Sequence, residues 1–377
     1  MIKMRSEIKV PKIKRFFECL LPVTFCNLKC DYCYIIQEDR RKMQMPKLSF
    51  PVERIVDALT QKRVGGVCWF SICGAGETLA PREIFPIVKG LLGNGHYVNL
   101  TNNGTISQRI DQFCELPCDW RKRLHFAFSL HYIELKNRNL LQTFIRNVKK
   151  VRDAGCSFIV QINLYDRYMP VWQEIGDLCI REFGALPQVA LTREETHPRM
   201  KIFSNKSDEE YIAVGKKFES PLFDFTVKNF NVKRKEFCYA GAWSGVLDLG
   251  SGILTGCYGD GVRQNIFQNL EEPIRFCPIG KGCRKPYCIN SSHFLSLGVI
   301  PELEAPTYAA LRNREKAGWY SDEMKAFLSQ KLRGNNEEYT PFQKFVHGIV
   351  WSRPRIFLNR NLLRLQNCVK KLKRKRG

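Results

Sequence analysis

Six short apolar runs alternate with helical patterns from residue 16 onward, and this alternation dictates strand–helix units around a parallel sheet. The spacing predicts strands over 17–25, 67–73, 97–100, 124–130, 157–163 and 188–192. Helices are expected at about 52–60, 140–154 and 171–182, the second of them amphipathic along its length. In a parallel α/β barrel the functional groups gather where strands run into the following loops, because helices crowd the outer face. Polar or cysteine-rich sequence follows five of the six runs, so one shared site at that end is expected. The predicted fold is therefore α/β, a partial (β/α)6 TIM-like barrel. A small cysteine-rich accessory domain and a basic helical tail follow it.

The first run leads into Cys-Asn-Leu-Lys-Cys-Asp-Tyr-Cys-Tyr, which sets Cys26, Cys30 and Cys33 on one short loop. Thiolates are soft ligands that suit iron–sulfur clusters or zinc. Three of them can hold three corners of a four-iron cluster and leave the fourth iron open. A three-cysteine zinc loop with a distant fourth ligand is the competing reading. Sixteen cysteines would suggest disulfides in a small secreted chain. Here residues 1–15 show no apolar export segment and the chain is 377 residues long, so a cytoplasmic protein with metal or cluster ligands is expected. Cys19, Cys68, Cys114, Cys118, Cys156 and Cys179 lie outside the clusters and read as inert core thiols.

With an aromatic residue directly before its last cysteine, the loop resembles the cluster loop of the radical S-adenosylmethionine superfamily. The resemblance implies a 4Fe–4S cluster on Cys26, Cys30 and Cys33, whose open iron chelates the amino and carboxylate groups of S-adenosylmethionine. One electron then cleaves the sulfonium, and the resulting 5′-deoxyadenosyl radical takes a hydrogen atom from a substrate. Such chemistry belongs to the cofactor, and the protein supplies orientation and exclusion of water. Gly76, Glu77 and Thr78 resemble the second-strand motif that binds the methionine amino group largely through backbone, with Ala75 where the family has its first glycine. Asn103 with Gly104 looks like the third-strand segment, and Ser129 like the fourth-strand hydroxyl that reaches the carboxylate or ribose. Asn163 and Arg193 are candidates for ribose and carboxylate contacts, since an arginine fork suits a carboxylate. Tyr32 is expected near the adenine. Taken singly, each of these polar residues is more often a turn-former or a solvated surface group, and the glycine segment alone an ordinary turn at a strand end.

Downstream, Cys238, Cys257, Cys283 and Cys288 resemble the accessory domain of many superfamily members. Its full form, SPASM, holds two extra clusters and its shortened form, twitch, holds one. Too few cysteines remain for two, which implies one auxiliary 4Fe–4S cluster on these four, with Cys277 as substitute and His293 as an outside candidate. Structural zinc at the same four thiols is the competing reading. Glycines at 241, 245, 250, 252, 256, 259 and 261 mark tight turns around a small hairpin, which a cluster would staple. The organisation expected is a basic arm at 1–15, the barrel at 16–235, the accessory domain at 236–315 and a helical region at 316–377.

The formal charge is +23, and residues 339–377 alone hold eleven Lys or Arg with no Asp or Glu. Leu358, Leu362, Leu365, Val369 and Leu372 recur there at helical spacing among basic residues, the pattern of a basic amphipathic helix. It can dock on the body or lie at an anionic membrane surface; basic charge alone gives only non-specific nucleic-acid binding. The stretches 236–241 and 293–298 resemble a bacterial branch associated with surface-polysaccharide genes. The expectation is a radical enzyme with an external one-electron donor and a small-molecule or glycan substrate, at the inner face of the membrane if the tail docks there. Peptide, protein and RNA substrates are the alternatives within the superfamily. Only some fifteen residues precede the first strand, so an attached leader-binding domain is not expected. From another class comes a zinc or iron–sulfur module tethering partners at an anionic surface. Glu194, Asp166, Tyr165 and His131 are candidate acids or bases at strand ends.

Overall fold

The computed structural model describes residues 8–196 and 201–350; the basic tail helix expected beyond residue 350, and the first seven residues of the arm, lie outside them. Six parallel strands run in sequential order: β1 (Arg15–Leu21), β2 (Cys68–Gly74), β3 (Tyr97–Asn102), β4 (Leu124–Ser129), β5 (Ser157–Leu164) and β6 (Gln188–Leu191). Helices Val52–Ala58, Ile84–Gly93, Ser107–Cys114, Leu141–Asp153 and Trp172–Phe183 form the crossovers. Sequential parallel order with helical crossovers is the layout of a (β/α) barrel, here left open. The six strands and three helices expected are all present, with ends shifted by a few residues. The largest shift is at β1, which stops at Leu21 because the chain turns there to start the cysteine loop.

The register sorts the strand residues into two faces, since side chains alternate along a strand. Cys19, Ile72, Leu100, Phe126 and Phe158 stand level across five strands, all buried against the helices. The neighbouring level holds Glu18, Ser71, Asn99, His125 and Ser157, an equally buried polar layer inside the barrel. Asn99 Nδ2 donates to Ser71 Oγ at 3.0 Å, and His125 Nδ1 meets Asn99 Oδ1 at 2.7 Å. Asn99 thus links Ser71 to His125, while Ser157 Oγ meets Ser321 Oγ at 3.2 Å and the buried His125 Nε2 has no hydrogen-bond partner among the described residues. Above it, Cys73, Thr101, Ser129, Gln161 and Asn163 face the open end.

Two residue pairs, β7 (Arg193–Glu194) and β8 (Lys201–Ile202), form a separate ribbon. The expected accessory hairpin forms as β9 (Ser244–Asp248) and β10 (Ile253–Thr255), with β11 (Gln264–Asn265) at its edge. It does not stand apart from the barrel. β9 lies parallel beside β1, with Phe16 level with Ser244 and Leu20 with Asp248, so one sheet of nine strands crosses the expected boundary at 235–236. Residues 316–335 close the other end: Trp319 donates from Nε1 to the Phe183 carbonyl, and Tyr97 stacks on Phe327 at 3.6 Å. Of the thiols expected in the core, Cys19, Cys68, Cys156 and Cys179 are buried. Cys118 is exposed and Cys114 half-buried, because the short helix Cys118–Arg121 after Pro117 rides on the surface and buries none of its residues.

Candidate functional site

Cys26, Cys30 and Cys33 sit in the connection that leaves β1, with all three thiols free and facing one cavity of about 620 Å³. Backbone ties shape this loop. Thr24 and Phe25 donate from their amides to the Gln44 carbonyl, and Arg41 Nη2 donates to the carbonyls of Cys26 at 3.0 Å and Leu28 at 3.3 Å. The Cys33 carbonyl accepts from Ile36 and Gln37, starting the short helix Tyr34–Gln37. Burial pushes the Cys26 thiol up to about 11, with the Glu77 carboxylate adding to the effect, and pushes the Cys30 thiol higher still. A bound cationic metal group reverses that preference, because coordination deprotonates a thiol.

The turn after β2 presses directly on the loop. Glu77 donates its backbone N–H to the Phe25 carbonyl at 2.7 Å. A Cβ at Gly76 would stand 2.2 Å from that same oxygen, so only glycine fits. Ala75 does not have a positive φ, and the alanine in the family's glycine position is accommodated without backbone strain. Thr78 Oγ1 accepts from Gly74 N–H at 2.9 Å. The Glu77 side chain turns inward, accepting from Leu79 N–H at 3.0 Å and from Asn103 N–H at 2.9 Å. It is thus a tie between two strand ends, and burial holds its carboxyl up at about 7.

Asn103 extends the tie to the cysteine loop. Its Nδ2 donates to Asn27 Oδ1 at 2.8 Å and lies 3.9 Å from Cys26 Sγ. Asn27 in turn donates to Thr105 Oγ1 at 2.8 Å. The first three strand ends are thereby locked together by hydrogen bonds.

All eight residues expected around the cofactor line this one cavity: Tyr32, Gly76, Glu77, Thr78, Asn103, Ser129, Asn163 and Arg193. Tyr32 is tied down by its hydroxyl, 2.6 Å from His131 Nδ1 and 3.3 Å from the Tyr168 hydroxyl. The Arg193 guanidinium is already engaged: Nη1 donates to the Ile289 carbonyl at 2.9 Å and Nη2 pairs with Glu195 at 2.7 Å. It joins the barrel rim to the accessory segment. Of the candidate acids and bases only His131 reaches the cavity, held neutral by burial that lowers it to about 4. Asp166 instead accepts from Ser204 Oγ and Asn205 N–H, capping a loop.

The structure adds a polar group that the sequence does not announce. Glu18, on β1, lines the cavity and accepts from Asn290 Nδ2 at 2.9 Å, while Asn290 also donates to the Tyr258 hydroxyl at 3.2 Å. Cys73 Sγ lies 3.5 Å from its other oxygen. His293 is structural: its Nδ1 meets Asn290 Oδ1 at 2.6 Å and its Nε2 the Tyr308 hydroxyl at 3.3 Å. Burial raises the Glu18 carboxyl from 4.5 to about 7. The folded state therefore binds a proton there that the unfolded chain has released, and this contribution to stability is lost as pH rises from about 4.5 to about 7. Glu18→Gln removes it, worth roughly 3 kcal/mol across that window. Buried neutral histidines act with the opposite sign, so the readout is a difference: between pH 5 and pH 8 the variant gains stability relative to the unaltered chain. Parallel pH profiles of the two would refute the assignment.

Cys238, Cys257, Cys283 and Cys288 lie near enough to interact electrostatically, and both Cys238 and Cys288 are raised first by burial and then by the charges of the others. Cys257 is pushed up to about 12 in the same way. Cys277 Sγ lies 3.9 Å from His347 Nε2. Among the described residues no three His, Cys, Asp or Glu side chains are drawn tightly enough to hold a single metal ion. The thiolates of a cube-shaped cluster stand at its corners, further apart than the ligands of one ion.

No family model and no curated protein matches the chain. Among solved structures, SuiB of Streptococcus suis bound to S-adenosylmethionine aligns at 16% identity over 68% of this chain and 64% of its own, with a TM-score of 0.48. The chain thus spans less than two thirds of SuiB. Native anSMEcpe with bound AdoMet and Cp18Cys peptide aligns at 15% identity over 93% of this chain and 99% of its own, at 0.46. BtrN in complex with AdoMet and 2-DOIA aligns at 12% identity over 87% and 92%, at 0.27. Each score is below 0.5.

Proposed function

We propose that this chain is a radical S-adenosylmethionine enzyme, and the observation that carries the reading is the lock between the Gly76–Thr78 turn and the three-thiol loop. Three free thiols face one cavity, and the turn beside them admits no side chain at Gly76. This donor set fits a 4Fe–4S cluster with one iron left for a ligand, and the glycine turn fits close approach of that ligand to backbone. When bound, the cluster and S-adenosylmethionine supply reductive cleavage of the sulfonium and, from it, abstraction of a substrate hydrogen atom. The electron comes from an external donor.

The chain's own residues position and exclude. Arg41 holds the loop carbonyls, Glu77 and Asn103 hold the neighbouring strand ends, and Leu20, Leu28, Ile35 and Leu191 line the cavity with apolar surface. Glu18, Asn290, Thr101 and Gln161 give its inner wall hydrogen-bonding groups, suited to a hydroxyl-rich substrate such as a saccharide. Glu18 can hold or accept a proton near neutral pH. The four accessory thiols fit an auxiliary 4Fe–4S cluster, and the enzyme works in the cytoplasm at the inner membrane face on a membrane-linked saccharide. Anaerobic reconstitution with iron and sulfide, reduction, and addition of S-adenosylmethionine test the central reading: 5′-deoxyadenosine and methionine form in equal amounts. Iron-loaded, reduced protein that forms neither refutes it.

A further inference from the structure

The helix Pro341–Val350 carries two opposed faces. On one, His347 Nε2 meets the Pro278 carbonyl at 2.8 Å, and Lys344 Nζ donates to Glu302 at 3.0 Å while lying over the Phe237 ring. His347 also fits against Gly280, where a Cβ would come within 2.6 Å of its ring. This face fixes the helix on the accessory domain. On the other face Phe342 is 73% exposed, Phe345 64%, Val346 39% and Ile349 50%. Spacings of three and four put all four on one stripe. Among the described residues they are the bulk of the exposed large apolar side chains in this half of the chain, gathered on a single helix. An apolar stripe of this kind facing water marks an interaction surface.

We infer that this stripe is a docking face for an anionic lipid surface, with Phe342, Phe345, Val346 and Ile349 entering the headgroup boundary. The occupant follows from charge and continuity. Ten of the eleven Lys and Arg of 339–377 lie after the helix, at 353–376, with no Asp or Glu among them, so the chain leaving the stripe is uniformly basic. Apolar insertion and attraction to anionic headgroups add, which neither supplies alone. A second copy of this chain would bring the same positive charge to the contact and repel it. No helix among the described residues is long and apolar enough to cross a membrane, so the contact is one of lying on the surface.

The full-length chain is tested by co-sedimentation with vesicles of phosphatidylcholine alone and of phosphatidylcholine with phosphatidylglycerol. Binding is expected to the anionic vesicles, to fall as salt rises, and to drop roughly tenfold or more in Phe342→Ser/Phe345→Ser. Both side chains face solvent, so the variant's melting midpoint should match the unaltered chain and exclude misfolding as the cause. Absence of binding to anionic vesicles overturns the inference. So does undiminished binding by the variant, which would assign the contact to the basic segment alone. A dimer in solution that the two serines convert to monomer would assign the stripe to self-association and overturn it equally. None of these outcomes depends on the radical reading.

Discussion

Replacing Cys26, Cys30 and Cys33 together with alanine will leave a folded chain that binds about half the reconstituted iron and forms no 5′-deoxyadenosine. Folding survives because the loop is held by backbone. Its ties run from Thr24 and Phe25 to Gln44, from Arg41 to the Cys26 and Leu28 carbonyls, and from Ile36 and Gln37 to the Cys33 carbonyl. The side-chain approach of Asn103 Nδ2 to Cys26 Sγ is long, at 3.9 Å. Iron lost from the variant is therefore iron that those thiols held, and the half retained would be that of the auxiliary cluster proposed on Cys238, Cys257, Cys283 and Cys288. Iron analysis and product chromatography on one anaerobic preparation measure both. Full iron content with cleavage intact would remove this loop as the site.

Gly76→Ala will lower the rate of 5′-deoxyadenosine formation by about a hundredfold, with iron content unchanged. The added methyl would meet the Phe25 carbonyl oxygen at 2.2 Å and Thr24 carbonyl carbon at 2.9 Å, both backbone atoms of the connection into the cysteine loop. A side chain could rotate away; this backbone is pinned by Glu77 N–H and by Gln44. The turn and the loop must part, and groups that bracket the same ligand then miss it by an ångström or so. Gly334→Ala is the control, since nothing lies within 4 Å of a Cβ there and its φ is not in the left-handed region. Equal rates in the two variants would show that the turn does not shape the site.

The barrel was legible because its strands are buried on their helix-facing side by continuous apolar runs, and because polar loops follow them. The cysteine loop and the eight residues placed around it by resemblance all reach one cavity. Glu18 was hidden for the same reason the strand was visible: inside Arg-Phe-Phe-Glu-Cys-Leu-Leu a single polar residue changes an apolar run little. Only register shows that it shares a level with Ser71, Asn99, His125 and Ser157 on the inner face. The period-two alternation of polar positions in these runs was the available signal. Asn290, its partner, lies 272 residues away, and no local pattern links them. The junction of β9 with β1 was invisible likewise, since a short strand that joins an existing sheet needs no core of its own.

Electron paramagnetic resonance of the reduced, anaerobically purified chain, recorded with and without S-adenosylmethionine, tests the central claim most directly. A low-spin four-iron signal whose shape changes when the sulfonium is added is the result predicted, because one iron of the proposed cluster would have no protein ligand and would take up the added molecule. A preparation that holds zinc alone, or an iron–sulfur signal indifferent to S-adenosylmethionine, would contradict it.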